Sequence, residues 1–355
     1  MTQCSLPSSV LRNIVQVTMV AVLALNATNA AMATPLSQLA GTESGKIEFN
    51  SYTPKEMFNL VRRTYDKTPT VIYGILSMPV NPTGKVPAVI IAHGSAGIES
   101  SEYAMAKDAN EWGYAAFMVD SFGPRGLTNV MQTQGALSQA ADDADQLAAL
   151  KLLATDPRID ATKIALVGFS RGGAAAFEDY FDMYRHGVID GDLKFAANVA
   201  FYPGDCAIRY RADRGNTNRS PMLMLIGSKD EYVGVDACTN YVDTINKESG
   251  TNIQYKVYPG AYHSFDGLFK WHIAVNTEHG AHCTQEVFLT DKPGGGLGEA
   301  RNYKTGEAIN DYKQWYASIR GCVTHEAIAV GPVNDNARNE SIKDVQAFLS
   351  AAFAK

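Results

Sequence analysis

The stretch Lys163–Gly173, KIALVGFSRGG, decides how the chain is read. It begins as an apolar run of strand type, passes through Gly168-Phe169-Ser170-Arg171-Gly172, and continues into AAAFEDY, which reads as a helix. A G-x-S-x-G pattern at a strand-to-helix turn holds its serine in a sharp, strained bend with the hydroxyl exposed. The flanking glycines let strand and helix approach without Cβ clashes. The helix N-terminus then faces any negative charge that develops beside the serine. The context predicts Ser170 as a nucleophile.

A serine hydroxyl needs a base, and in this arrangement the order along the chain is serine, acid, histidine. His263 follows the strand-like run IQYKVYPG, where a base belongs. His186 follows the elbow helix with no strand before it, and His272, His279, His282 and His325 fall in an irregular segment. His93 precedes the loop GSAGI and is read as its support. The acid is expected after the strand PMLMLIGS, and Asp230 stands just past it, ahead of Glu231, Asp236 and Asp266. Its role would be to hold the His263 tautomer and stabilise the imidazolium. Two backbone N–H groups should form an oxyanion hole, that of Arg171 and that of Ser95 or Ala96 in the loop HGSAGI. The Arg171 side chain is read as a structural hydrogen bonder, and Arg125 in VDSFGPRG as a brace for its loop.

Outward from these motifs, continuous apolar runs (VPAVIIA, GYAAFMVD, KIALV, AANVAF, PMLMLIG) alternate with helical stretches at about 101–112, 137–155, 172–184 and 236–248. This is the pattern of a mostly parallel sheet with helices on both faces, an α/β fold whose ligands sit beyond the carboxyl ends of the strands. Residues from about 266 to 333 break the rhythm and are expected to form an irregular insertion on the catalytic face. A last helix from Ser341 to Phe353 should pack Val345, Phe348 and Leu349 on the sheet.

The first 33 residues have one charge, Arg12, then the apolar run Ile14–Leu25, and end in Ala31-Met32-Ala33. That is the pattern of a secretory signal peptide, which would leave a single domain over 34–355. The run is shorter than the ~20 residues of a membrane span. The four cysteines beyond it, Cys206, Cys238, Cys283 and Cys322, are an even set, as export would favour, with three possible connectivities. The local pairs Cys206–Cys238 and Cys283–Cys322 are favoured because each closes a short loop. A periplasmic or extracellular location follows. A net charge of -6 without a basic block argues against nucleic acid. No phosphate loop or metal-ligand spacing occurs, His279 and His282 beside Cys283 included, so no cofactor and no metal are expected.

In order, HGSAG, VDSFGPRG, GFSRGG, AFYPGDC, IGSKDEY and YPGAYHSFD, over roughly Val86 to Phe265, resemble the dienelactone hydrolase family of the α/β-hydrolase fold. The resemblance implies a Ser170–Asp230–His263 triad in one catalytic domain, and it extends to an exported branch with cysteines matching Cys206 and Cys238 near the acid loop. Dienelactone hydrolase itself carries cysteine in G-x-C-x-G, where this chain has Ser170. The expected activity is hydrolysis of a small carboxylic ester or lactone through an acyl-enzyme. A serine peptidase, an acyltransferase and a non-catalytic binding protein on the same fold are the alternatives. Oligomeric state is left open.

Overall fold

Apolar residues run unbroken through the central strands because both faces of the sheet are covered, and the catalytic candidates stand in the loops past the carboxyl ends of the strands. The computed structural model describes residues 34–204, 206–211, 217–267, 273–292, 294, 296–331 and 335–355. The expected signal segment, Asp205, Trp271 and His272 lie outside the described residues. In chain order the main sheet is built from β1 (Gly45–Ser51), β2 (Thr70–Ser77), β3 (Val86–Ala92), β4 (Ala115–Asp120), β5 (Ile159–Phe169) and β6 (Ala197–Phe201). A short β7 (Arg209–Arg211) lies apart, and β8 (Met222–Gly227) and β9 (Gln254–Tyr258) complete the sheet.

The eight strands lie in the order β1-β2-β4-β3-β5-β6-β8-β9. β2 runs antiparallel to both β1 and β4, and from β4 to β9 all pairings are parallel. The helices are α1 (Met57–Val61), α2 (Ser100–Glu111), α3 (Gln139–Leu153), α4 (Arg171–Glu178), α5 (Asp182–Val188) and α6 (Val235–Ser249). All residues of β6 and β8 are buried, as they must be with helices on both faces. This is the α/β-hydrolase fold expected from the sequence. The 172–184 helix is interrupted: Asp179 ends α4 and Phe181 caps α5, so the chain turns between two short helices rather than one.

β3 is followed by β4 on one side, while β5 lies on its other side. The chain therefore leaves β3 and β5 in opposite directions, and a crevice opens beyond their carboxyl ends. The loop from His93 and the turn at Ser170 both border that crevice.

The segment after His263 is not irregular. It folds into β10 (Ile273–His279), β11 (Gln285–Phe288), β12 (Glu299–Asn302), β13 (Ala308–Ile309), α7 (Tyr312–Cys322) and β14 (Thr324–Val330). β10 and β14 form an antiparallel pair, and β13-β12-β11-β7 form a four-stranded sheet. The alternation in IAVNTEH carries a strand signal, Ile273, Val275, Thr277 and His279 being less exposed than Ala274 and Asn276. Short strands rich in polar residues hide such a pattern among turn residues. The cysteines pair as Cys206–Cys238 and Cys283–Cys322. The second bond ties Cys283, two residues before β11, to the last residue of α7. α8 (Asp335–Phe353) starts earlier than the sequence suggests and packs against β6 and β8. Val345 and Leu349 are fully buried there and Phe348 partly so.

Candidate active site

Ser170 ends β5 and caps α4 with φ 53° and ψ −109°, a left-handed backbone that a non-glycine residue adopts only under constraint. Two glycines make the bend sterically possible. A Cβ on Gly168 would stand 1.8 Å from the Gly172 carbonyl oxygen, and one on Gly172 would stand 2.2 Å from the Ala92 carbonyl oxygen. The turn is held by hydrogen bonds from Ser170 N to Phe201 O at 3.0 Å and from Gly204 N to Ser170 O at 3.1 Å.

The structure brings Ser170, His263 and Asp230 together from three strand ends. His263 Nε2 is 2.9 Å from Ser170 Oγ, and His263 Nδ1 is 2.9 Å from Asp230 Oδ2. With the ring proton on Nδ1, facing the carboxylate, Nε2 is left to accept from the serine hydroxyl. The other carboxylate oxygen, Asp230 Oδ1, accepts from Tyr232 N at 3.0 Å and Val233 N at 3.2 Å, which fixes the carboxylate plane. All three side chains are buried, Asp230 and His263 at 2% and 4% exposure.

His263 is gripped on both sides. The Tyr202 ring centroid lies 4.6 Å from it and that of Tyr232 lies 4.5 Å away. Its backbone carbonyl accepts from Gly331 N at 2.8 Å, so the chain leaving β14 fixes the histidine loop. Tyr202 is itself held by a short hydrogen bond to Asp266, whose carboxyl burial shifts upward. Asp266 is thus a support for Tyr202. Glu231 is exposed, and Asp236 lies in the first turn of α6.

The loop after β3 passes over the serine: a Cβ on Gly94 would lie 3.4 Å from Ser170 Cβ. Ser95 and Ala96 follow it, and both border the crevice with Ser170. His93 accepts from Ser121 N through Nε2 at 3.2 Å, which puts its proton on Nδ1 to donate to Gly94 O at 2.8 Å. It supports the loop. Glu102 braces the same loop at both ends, accepting from Gly94 N at 3.3 Å and Glu99 N at 2.8 Å. Burial pushes the Glu102 carboxyl up to about 7.

The Arg171 side chain is committed to Asp142 at 2.6 Å, to Gln134 O at 3.1 Å and to Leu137 O at 2.5 Å. Arg125 pairs with Asp145 through two bonds of 2.6 and 3.0 Å and with Ser121 O at 2.8 Å, so it braces its loop. His279 accepts from Ala281 N through Nδ1 and donates from Nε2 to Glu326 at 2.9 Å, with Thr324 Oγ1 also 2.9 Å from Nε2, while Cys283 is in a disulfide and offers no thiolate. Among the described residues no cluster of three or more His, Cys, Asp and Glu is placed to hold a metal ion.

Sequence reasoning passed over Tyr202, Tyr232 and Glu102. A signal for the last was present: Glu99-Ser-Ser-Glu102 places a glutamate three residues after the cap, and the structure forms a reciprocal capping box there. Tyr232 follows Asp230 by two positions, but nothing in the sequence tells that its ring turns toward His263.

A family model described as the dienelactone hydrolase family matches residues 72–269, more than half of the chain. No curated protein matches the chain in sequence. Among solved structures, a Klebsiella pneumoniae protein provisionally assigned as a dienelactone hydrolase shares 18% identity over 62% of this chain and 88% of its own, with a TM-score of 0.43. A thermophilic esterase of Thermogutta terrifontis with propionate bound shares 17% identity over 55% of this chain and 80% of its own, at the same TM-score of 0.43. The same esterase phosphorylated by paraoxon shares 18% identity over 55% of this chain and 79% of its own, again at a TM-score of 0.43.

Proposed function

The chain belongs to the dienelactone hydrolase family and is a carboxylic-ester hydrolase, and we propose that it works as a serine esterase through a Ser170–His263–Asp230 triad. The observation that carries this reading is the unbroken pair of 2.9 Å contacts from Ser170 Oγ through the His263 ring to Asp230. His263 takes the Ser170 proton as Oγ bonds to the ester carbonyl carbon. The carbonyl oxygen becomes an oxyanion facing the N–H groups of Arg171 and of Ser95 or Ala96. The ester C–O bond then breaks, and the proton on His263 passes to the leaving alkoxide. A water molecule repeats the sequence on the acyl-enzyme and releases the acid. Asp230 keeps its charge throughout and stabilises the imidazolium.

Export is part of the same reading. It is supported by the signal-like pattern ahead of Thr34 and by the two disulfides. No described helix is long and apolar enough to cross a membrane. The substrate is a small-molecule ester. Hydrolysis of p-nitrophenyl acetate and butyrate by the wild type, lowered by about 10⁴-fold or more in Ser170→Ala, is the expected result. Equal activity in the two proteins would remove Ser170 from the mechanism.

A further inference from the structure

Ser170 does not open into one cavity. It stands where two meet, one of ≈ 290 Å³ and one of ≈ 270 Å³, with Ser95 and Tyr232 as the other residues common to both. Each alone is at or below the low end of ligand cavities, about 300–1,000 Å³, so a substrate that fills the site extends into both. The two differ in chemistry. The first is walled by Met131, Phe169, Ile273, Val275 and Val330, three of these from the β10–β14 pair. The second mixes the polar side chains of Gln134, Gln139 and Glu278 with apolar walls from Leu137, Ile208 and Ile319.

The proton path decides which half of the ester enters which cavity. The imidazolium must hand its proton to the departing alkoxide, so the alcohol half lies on the side that His263 faces. His263 lines the first cavity and is not among the residues lining the second; of the proposed oxyanion donors, Ala96 lines the first, Arg171 the second and Ser95 both, so the proton path alone separates the two halves. Charge narrows the class further. No lysine or arginine is among the described residues lining the first cavity, and Glu99 and Glu102 border it. In the second, the Arg171 guanidinium is engaged by Asp142, Gln134 and Leu137, and Glu278 is bound to Gln134 N at 2.7 Å. Among the described residues, neither cavity presents a guanidinium free to pair with a carboxylate.

We propose that the substrate is an uncharged ester with an apolar, ring-sized alcohol half in the first cavity and a short acyl half bearing a neutral hydrogen-bonding group in the second. The proposal rests on the esterase reading and deepens it. Ser170 Oγ forms the acyl bond, its proton goes through His263 to the alcohol oxygen, and the apolar alcohol leaves along the β10–β14 wall.

The test is a crossed ester panel: benzyl 3-hydroxybutyrate, methyl 3-hydroxybutyrate, benzyl butyrate, benzyl octanoate and monobenzyl succinate. Benzyl 3-hydroxybutyrate is expected to have the highest kcat/KM. Replacing benzyl by methyl, or deleting the hydroxyl, should each cost about tenfold, and the anionic succinate should be the poorest substrate. In Val275→Trp the benzyl-to-methyl ratio should fall about tenfold, and in Val323→Trp, which narrows the second cavity, the hydroxybutyrate-to-butyrate ratio should fall instead. These ratios compare substrates on one preparation, so a loss of folded protein cannot mimic them. A preference for benzyl octanoate, or indifference to the alcohol, would overturn the two-compartment assignment while leaving Ser170 as the nucleophile. Absence of cleavage of every ester, together with no labelling of Ser170 by a fluorophosphonate, would overturn the esterase reading and this proposal with it.

Discussion

Replacing Glu102 with glutamine should change stability in opposite directions at low and high pH. The carboxyl is 3% exposed and ties Gly94 N and Glu99 N to the start of α2. Burial chiefly, with Asp266 adding like charge, raises it from the ordinary 4.5 to about 7. A folded-state value above the unfolded one means that protonation favours the fold. That contribution is complete below pH 4.5 and is lost as pH rises through about 7. The rise corresponds to about 3 kcal/mol across the window. Glutamine does not titrate, but its amide nitrogen cannot accept, so one of the two N–H groups loses its partner at a cost of about 1 kcal/mol. The variant should therefore be about 1 kcal/mol less stable than wild type near pH 4.5 and about 2 kcal/mol more stable near pH 8.5. Urea unfolding followed by tryptophan fluorescence at four pH values measures this. A difference that stays constant with pH would refute the reasoning, because the burial of an ionisable group would then not be its cause.

Two further substitutions probe the frame around the site. Gly168→Ala places a Cβ 1.8 Å from a backbone oxygen, and a backbone atom cannot yield as a side-chain tip can. Its expected cost is several kcal/mol, read as loss of soluble protein or a large fall in the melting temperature. Replacing Cys283 and Cys322 together by serine opens a link across 39 residues, which chain entropy values at roughly 4 kcal/mol. The urea midpoint should fall accordingly, and a variant with an unchanged midpoint would show that the link constrains nothing.

The elbow was legible because its physics is local. Close packing at Gly168 and Gly172 demands glycine, the strand before it demands apolar residues, and both demands are written within eleven positions. The same holds for the sheet, whose buried strands leave continuous runs such as Val86–Ala92. Asp230 and His263, the proposed acid and base, were legible as candidates because each follows a strand. What stayed hidden depends on contacts between distant segments. The β10–β14 pair is hidden because Thr324–Val330 mixes polar and apolar residues on both faces and the partners lie some fifty positions apart. The rings flanking His263 come from Tyr202 and Tyr232, and only the fold tells which of the many tyrosines meet there. The break between α4 and α5 was also missed, since Glu178 to Phe181 carries no glycine or proline to announce a turn.

The central claim is that Ser170 is an activated nucleophile, and covalent labelling tests it most directly. The mature protein would be treated with a fluorophosphonate and its peptides mapped by mass. The account predicts one adduct, on the Ser170 oxygen, that forms far more slowly in His263→Ala. An unlabelled Ser170 in the folded protein, or labelling that proceeds as fast without His263, would contradict it.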